Sequence, residues 1–575
     1  MIWLAAAFAA ELSGTLTGAD GQPIVGATVY AYDVRFNYAA ATTRSGGEWT
    51  LQGLPPGGYR LRFLPPNYDP HGDRFYGGAW DTCSAEVVQL PAESSVVAGV
   101  DEALETGASV TGRVVDLAGT PIGGMRVTAY GAEPRTGLIE RNDTTDDDGR
   151  FAISGLDAEA AGSAFYVSVE GSGWPRQYAG PSYTEGESER GSFAAGVETD
   201  VGDVALLDGI RVSGVISGPD GAVAEGQVYV YSSQQILTET VGLDGAYAAD
   251  GLPPGDVVVW ASSPGLATTY YPGSDRPGGS YPVPDEGADA TVDVSLPTES
   301  RLTLQALGEG SFDGVSVLVY NDTYTVGRGD QLTPEGEVSI GGLYAGNYYV
   351  YVYGQDAGFT SGFIVDGTGE PLVFQVDGAT DLELPLERGA VLSGTVTDDR
   401  GEPVYGARVE AVETTGAQRQ WTATTDRDGA YTIRGVDATT VTVDAAFYWY
   451  CPGDPGYATT WYEAARSADA AGVLLVNHGD VLDGLDLVLP VDDDHDGMGD
   501  DWERAHGLDP AHDDAAGDLD GDGFTNGEEW VLGTDPDAPD AVGAGGCGCG
   551  SGAANAGLLA IGAGLALRAR RRHQT

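Results

Sequence analysis

Alternation of apolar and polar residues with a period of two dominates this chain, and it returns in the same form five times. Four of the segments open on a strand built around Ser/Thr-Gly: Leu12-Ser13-Gly14-Thr15-Leu16, Val110-Thr111-Gly112-Arg113-Val114, Val212-Ser213-Gly214-Val215-Ile216 and Leu392-Ser393-Gly394-Thr395-Val396. The segment starting near Arg301, fourth in chain order, has lost the glycine. A period of two places neighbouring side chains on opposite faces, so each run predicts a strand buried on one side. A turn signal and a second alternating strand follow, as in DGQPIVGATVYAY from Asp20 and RGEPVYGARVEAV from Arg400.

About twenty residues further on, each segment carries Gly-x-aromatic and then Gly-Leu or Gly-Val. The instances are Gly47-Glu48-Trp49 with Gly53-Leu54, Gly149-Arg150-Phe151 with Gly155-Leu156, Gly245-Ala246-Tyr247 with Gly251-Leu252, and Gly429-Ala430-Tyr431 with Gly435-Val436. In the fourth segment Val338 stands where the aromatic would be, ahead of Gly342-Leu343. Helix-period runs are almost absent. Repeats of about 90 to 100 residues with six or seven short strands predict an all-β chain of tandem Greek-key β-sandwiches, transthyretin-like or Ig-like in plan. The glycines are expected to supply turns and the aromatics to plug each sandwich.

The predicted order is a signal peptide over 1–9 and sandwiches over 10–106, 107–208, 209–299, 300–388 and 389–490. A module of two acidic loops over 491–540 follows, then a Gly/Cys spacer, a short hydrophobic transmembrane helix and an Arg-rich tail over 541–575. The order T-G-x-V, DxxGxPxxGAxV, DGxY, GLPPGxY resembles the carboxypeptidase regulatory-like (transthyretin-like) domain family across about 470 residues. That resemblance implies non-catalytic spacer or binding modules on an exported protein.

Composition narrows the partners. Of 575 residues, 42% are apolar, enough for packed cores, and the formal net charge is −59. Such a charge argues against nucleic acid and anionic membrane and favours cations. All 28 basic residues are Arg, which excludes lysine-dependent chemistry, Lys–Asn isopeptide bonds included.

Both ends point to export. Ile2–Ala9 is a short apolar core closed by Ala7-Phe8-Ala9, an A-x-A site predicting cleavage after Ala9, although no basic residue precedes it. At the other end Cys547 and Cys549 lie in a Gly-rich spacer, before an apolar run from Ala553 to Leu567 and then Arg568, Arg570, Arg571 and Arg572. This arrangement resembles the C-terminal sorting tags of myxobacterial surface proteins (MYXO-CTERM type). The resemblance implies a sorting protease, contact with the membrane through the C-terminal segment, and retention at the cell surface or outer membrane of a Gram-negative bacterium. A plain tail anchor is the alternative.

The richest chemistry lies between Val491 and Asp540, where 18 Asp/Glu accompany one Arg, Arg504. Asp492, Asp494, Asp496, Asp500 and Glu503 occupy positions 1, 3, 5, 9 and 12 of one loop, and Asp518, Asp520, Asp522, Asn526 and Glu529 the same positions of a second. Gly497 and Gly523 fall at position 6, and Met498 and Phe524 would offer backbone carbonyls at position 7. A calcium loop needs this pattern of hard oxygens, a sharp turn and a terminal bidentate Glu, so calcium is the expected cofactor. No helix is predicted to enter the first loop, because Pro490 and a strand precede it. With the tails GLDP and GTDP, the pair resembles bacterial thrombospondin type 3-like repeats. That resemblance makes Asp509, Asp513 and Asp514 secondary candidates; a dockerin-like pair, with a longer helix after each loop, is the alternative.

Three expectations remain. Aromatic loops such as Phe75–Trp80, Gln177–Gly180, Tyr270–Gly273 and Trp461-Tyr462 either cap each sandwich or present rings to a sugar or partner. Cys83 and Cys451, single in the first and fifth repeats, are expected to stay free or to bond an outside partner, and linkers of a few residues predict an elongated particle. No HExxH or GxSxG occurs. The predicted function is a non-enzymatic cell-surface stalk or structural protein; the alternative is an adhesin that binds an extracellular glycan or surface protein.

Overall fold

The computed structural model describes residues 10–539 apart from 34–36, 93–94, 132–139, 157–162, 172, 181, 233–234, 278–279, 284–288, 324–326, 417, 448–450 and 452–455. The expected signal peptide, and the spacer with Cys547 and Cys549, apolar run and Arg-rich tail, lie outside the described residues. No helix among those described is long and apolar enough to cross a membrane. The chain divides into two compact units, Met1–Val491 and Asp492–Thr575.

The first unit is a tandem array of β-sandwiches, and the first of them sets the pattern. Its opening strand Glu11–Gly18 lies between Glu48–Gln52, antiparallel, and the closing strands Val96–Val97 and Glu102–Leu104, parallel. In the facing sheet Tyr38–Thr42, Thr28–Tyr32, Gly57–Leu64 and Arg74–Phe75 follow in that spatial order, and Val87–Leu90 also pairs with Gly57–Leu64. The chain crosses between the sheets after its first, third, fourth and seventh strands, the Greek-key path that the pattern predicts. Alternation does the sorting: Val29 and Ala31 point into the core while Tyr30 and Tyr32 remain half-buried on the outer face. The same plan recurs around separate cores, one holding Leu12, Leu16 and Phe63, another Val212, Val228 and Val259, another Leu392, Val409 and Ile433.

The glycine of the opening strand and the aromatic that follows later are cross-strand partners: Gly14 faces Trp49, Gly112 Phe151, Gly214 Tyr247 and Gly394 Tyr431. In all four sandwiches the closing strand breaks register at this level, either split in two or bulged. In the first, third and fifth, the break brings a carbonyl (Val100, Val292 or Leu485) against the glycine, leaving no room for a Cβ. The Tyr247 hydroxyl donates to Val292 O at 2.7 Å and the Tyr431 hydroxyl to Leu485 O at 2.6 Å. The fourth sandwich lacks all of this. There Leu304 faces Val338, and the closing strand Ala379–Pro385 pairs without interruption from Arg301 to Leu307. Glycine is therefore needed here for close approach, not for a turn.

Neighbouring sandwiches meet through the Gly-Leu turn. A Cβ added at Gly155, Gly251 or Gly435 would lie 2.6 Å from Asp69 O, 2.6 Å from Trp174 N or 2.5 Å from Phe359 O, each in the preceding repeat. Between the third and fourth repeats the Thr268 amide donates to Gly342 O at 3.1 Å. At the first of these junctions the buried Arg141 donates to Pro65 O at 2.7 Å.

One expectation is overturned where the fifth sandwich returns to the first. Cys83 and Cys451, separated by 368 residues, form a disulfide with their Cα atoms 4.6 Å apart. Around it the Tyr405 hydroxyl donates to Asp33 Oδ2 at 2.9 Å, and Asn37 Nδ2 donates to the Tyr405 oxygen at 3.1 Å. Arg427 lies 4.5 Å over the Tyr405 ring and donates to Pro56 O at 2.5 Å. Short linkers do keep the modules from merging into one core, but a similar junction repeated along a series accumulates rotation. The first and fifth repeats, distant in sequence, thus meet.

Candidate metal centre

In the second unit each acidic loop runs directly into a short helix, α1 over Asp500–Ala505 and α2 over Asn526–Leu532. The loops are closed by their own carboxylates. Asp492 accepts from the amides of Asp496 at 3.2 Å and Gly497 at 3.0 Å, and Asp496 from Met498 at 2.9 Å. In the second loop Asp518 accepts from Gly521 at 2.8 Å and Gly523 at 3.1 Å, and Asp522 from Phe524 at 2.9 Å. Gly497 and Gly523 have φ of 95° and 106°, the conformation in which glycine is favoured.

Three carboxylate groups converge, each with its oxygens within 4.8 Å: Asp492, Asp494 and Asp496; Asp496, Glu503 and Asp514; and Asp518, Asp520 and Asp522. Glu503 is fully buried, and neither of its carboxylate oxygens has a protein partner; nor do Asp494 Oδ2 and Asp514 Oδ1. An ionised carboxylate without a hydrogen bond or counter-charge is expensive to bury. Burial first, and then Asp496, Asp494, Asp514 and Asp500, push the Glu503 carboxyl up to about 8; burial pushes Asp492 up to about 7. Arg504 does not relieve this cluster, since it pairs with Asp500 and Asp501 at 2.8 Å. The group is short of positive charge, and its donors are all hard oxygens. That set fits calcium or magnesium and not a thiolate- or imidazole-seeking metal.

The position-9 residues play a different part. Asp500 Oδ1 accepts from the Asp493 amide at 2.8 Å, and Asn526 Oδ1 from the Leu519 amide at 3.1 Å, so both tie the helix start back to position 2 of the loop. Glu529 is buried and accepts from the Thr534 hydroxyl at 3.4 Å; Met498 is buried and Phe524 is 39% exposed. Asp514, a secondary candidate in the sequence, joins Asp496 and Glu503, whereas Asp509 and Asp513 belong to none of the three groups. Its backbone also links the loops: the amides of Asp514 and Ala515 donate to Asp496 Oδ2, and Asn526 Nδ2 donates to Asp514 O. Trp502 on α1 and Trp530 on α2 pack edge to face, ring centres 5.2 Å apart.

The aromatic loops of the first unit lie at the edges of the outer sheets. Phe75, Tyr270 and Trp461 sit on short edge strands, and their rings, with Tyr178, are buried or half-buried. On the outer sheet faces Tyr229, Trp260 and Tyr270 stack in series at 5.1 and 5.4 Å, and Tyr130 stacks on Tyr166 at 5.1 Å.

Residues 11–78 and 391–472 match the family model of the carboxypeptidase regulatory-like domain. No curated protein matches the chain in sequence. Among solved structures, the TIE protein of Bacillus anthracis is 11% identical over 64% of this chain and 68% of its own, with a TM-score of 0.16. A streptococcal ancillary pilin is 11% identical over 50% of this chain and 98% of its own, TM-score 0.22. The major pilin subunit BcpA of Bacillus cereus is 11% identical over 49% and 99%, TM-score 0.13. Such scores carry nothing about function. What is established is a tandem β-sandwich chain whose first and fifth repeats match the carboxypeptidase regulatory-like domain.

Proposed function

We propose that this chain is a non-enzymatic structural protein displayed on a cell surface, and that its C-terminal unit takes up calcium. The observation that carries the calcium reading is Glu503, fully buried with both carboxylate oxygens lacking a protein partner among Asp496 and Asp514. Asp492, Asp494, Asp496, Glu503 and the Met498 carbonyl would hold one ion, with Asp514 reaching in from the connecting segment. Asp518, Asp520, Asp522, Glu529 and the Phe524 carbonyl would hold another. Asp500 and Asn526 shape the loops through backbone amides. Helices of six and seven residues favour the thrombospondin type 3-like reading over a dockerin-like pair.

Bound calcium supplies the positive charge that the buried carboxylates need. The sandwiches serve as rigid spacers, export and a sorting protease place the protein at the outer surface of a Gram-negative cell, and the C-terminal segment meets the membrane. Calorimetric titration of chelator-treated protein with calcium tests the reading: saturable uptake supports it, and no heat at millimolar calcium refutes it. A second reading, an adhesin for a glycan or surface protein, is favoured by the stacked rings on the outer sheet faces. Glycan-array binding distinguishes it.

A further inference from the structure

We propose that the Cys83–Cys451 bond shunts tension past the middle of the protein, so that the chain between the two cysteines cannot be drawn out while the bond is intact. The disulfide lies in the first and fifth sandwiches and spans 368 residues. The second, third and fourth sandwiches fall wholly inside that span. A pull applied to the chain ends runs from the N-terminus to Cys83, across the sulfurs, and from Cys451 through the C-terminal unit to the end of the chain. Nothing between the cysteines lies on this covalent path.

The described contacts beside the bond are noncovalent, and they do not do the same work. Those described include the Tyr405–Asp33–Asn37 hydrogen bonds and the Arg427 contacts with Pro56, Tyr405 and Asp33, and noncovalent polar contacts contribute only about 1 kcal/mol each. Each sandwich has its own core, so opening this junction need not unfold the modules. The junction is also chemically addressable from one side, because Cys451 is 1% exposed while Cys83 is half-buried. A dithiol opens it with two electrons. Its thiolate attacks Cys83 Sγ, Cys451 leaves as thiolate and takes a proton, and the reagent's second thiol frees Cys83 and closes the reagent's own disulfide.

Single-molecule pulling of the full chain by handles at its two ends tests this. Untreated protein should release length only from the segments outside the bond. A dithiol reductant should lengthen the fully extended chain by roughly 1,200–1,300 Å, at about 3.3–3.6 Å per residue. Cys83→Ser and Cys451→Ser should each show the longer length without reductant. Equal lengths with and without reductant, or unfolding of all five sandwiches in the untreated protein, would overturn the proposal. Peptide mapping without reduction gives a check independent of any variant: a Cys83–Cys451 cross-linked pair is expected, and free thiols at both, or pairing with Cys547 or Cys549, overturns it.

Discussion

Gly214 and Tyr247 stand directly opposite each other in the third sandwich, and the Tyr247 hydroxyl reaches past the glycine to the Val292 carbonyl at 2.7 Å. The ring, the missing side chain and the broken closing strand form one device. A Cβ at position 214 would strike that carbonyl. Gly214→Val should therefore cost about 3 kcal/mol of sandwich stability, as overpacking does. Tyr247→Phe keeps the ring but strands a buried carbonyl, at roughly 1–2 kcal/mol. Denaturant unfolding of the two variants measures both, and a neutral Gly214→Val would contradict the account.

Calcium should order the C-terminal unit. Trp502 and Trp530 report it, because they pack against each other from the helices that follow the two loops. Chelator should alter their fluorescence and make residues 491–540 sensitive to protease while the sandwiches stay resistant. Glu503→Gln and Asp514→Asn should weaken calcium uptake at least tenfold. Proteolysis that is the same with and without calcium is the adverse result.

Asp444, on the outer face of the fifth sandwich, is pushed up to about 7 by burial and then by Glu410, with Arg408 opposing. A carboxyl raised in the folded state contributes stability that is complete below its unfolded pKa, about 4, and is lost as pH rises through about 7. Asp444→Asn should thus matter little at pH 4 and stabilise at pH 8 by roughly 2 kcal/mol, allowing for its remaining solvent contact. Thermal unfolding at the two pH values decides it, and a benefit confined to the acid side would reverse the sign.

Gly251 lets the third sandwich lie against the backbone at Trp174 of the second. Gly251→Val should loosen that junction while leaving both cores folded. The linker at Leu207–Arg211 would then be cut faster by protease, and because Gly251 has a φ of 81° the strained turn also lowers the midpoint of unfolding. Unchanged cleavage would show that the junction tolerates a side chain.

Local rules sufficed for the repeats. Period-two alternation, DG turns and the 1-3-5-9-12 spacing act over a few residues, so the sandwich fold and both acidic loops were legible from the residues alone. Even the departure of the fourth repeat was visible, in the loss of its glycine and its aromatic together. Why they go together was not, because Leu304, Val338 and the unbroken strand Ala379–Pro385 meet only across the sheet. Asp514 joined Glu503 for a similar reason: the segment between the loops folds back, and no spacing rule records that. The pairing of Cys83 with Cys451 depended on tertiary structure most of all. Each junction is short and local, but where the fifth repeat comes to rest depends on all four junctions together, and no local pattern in the sequence records that.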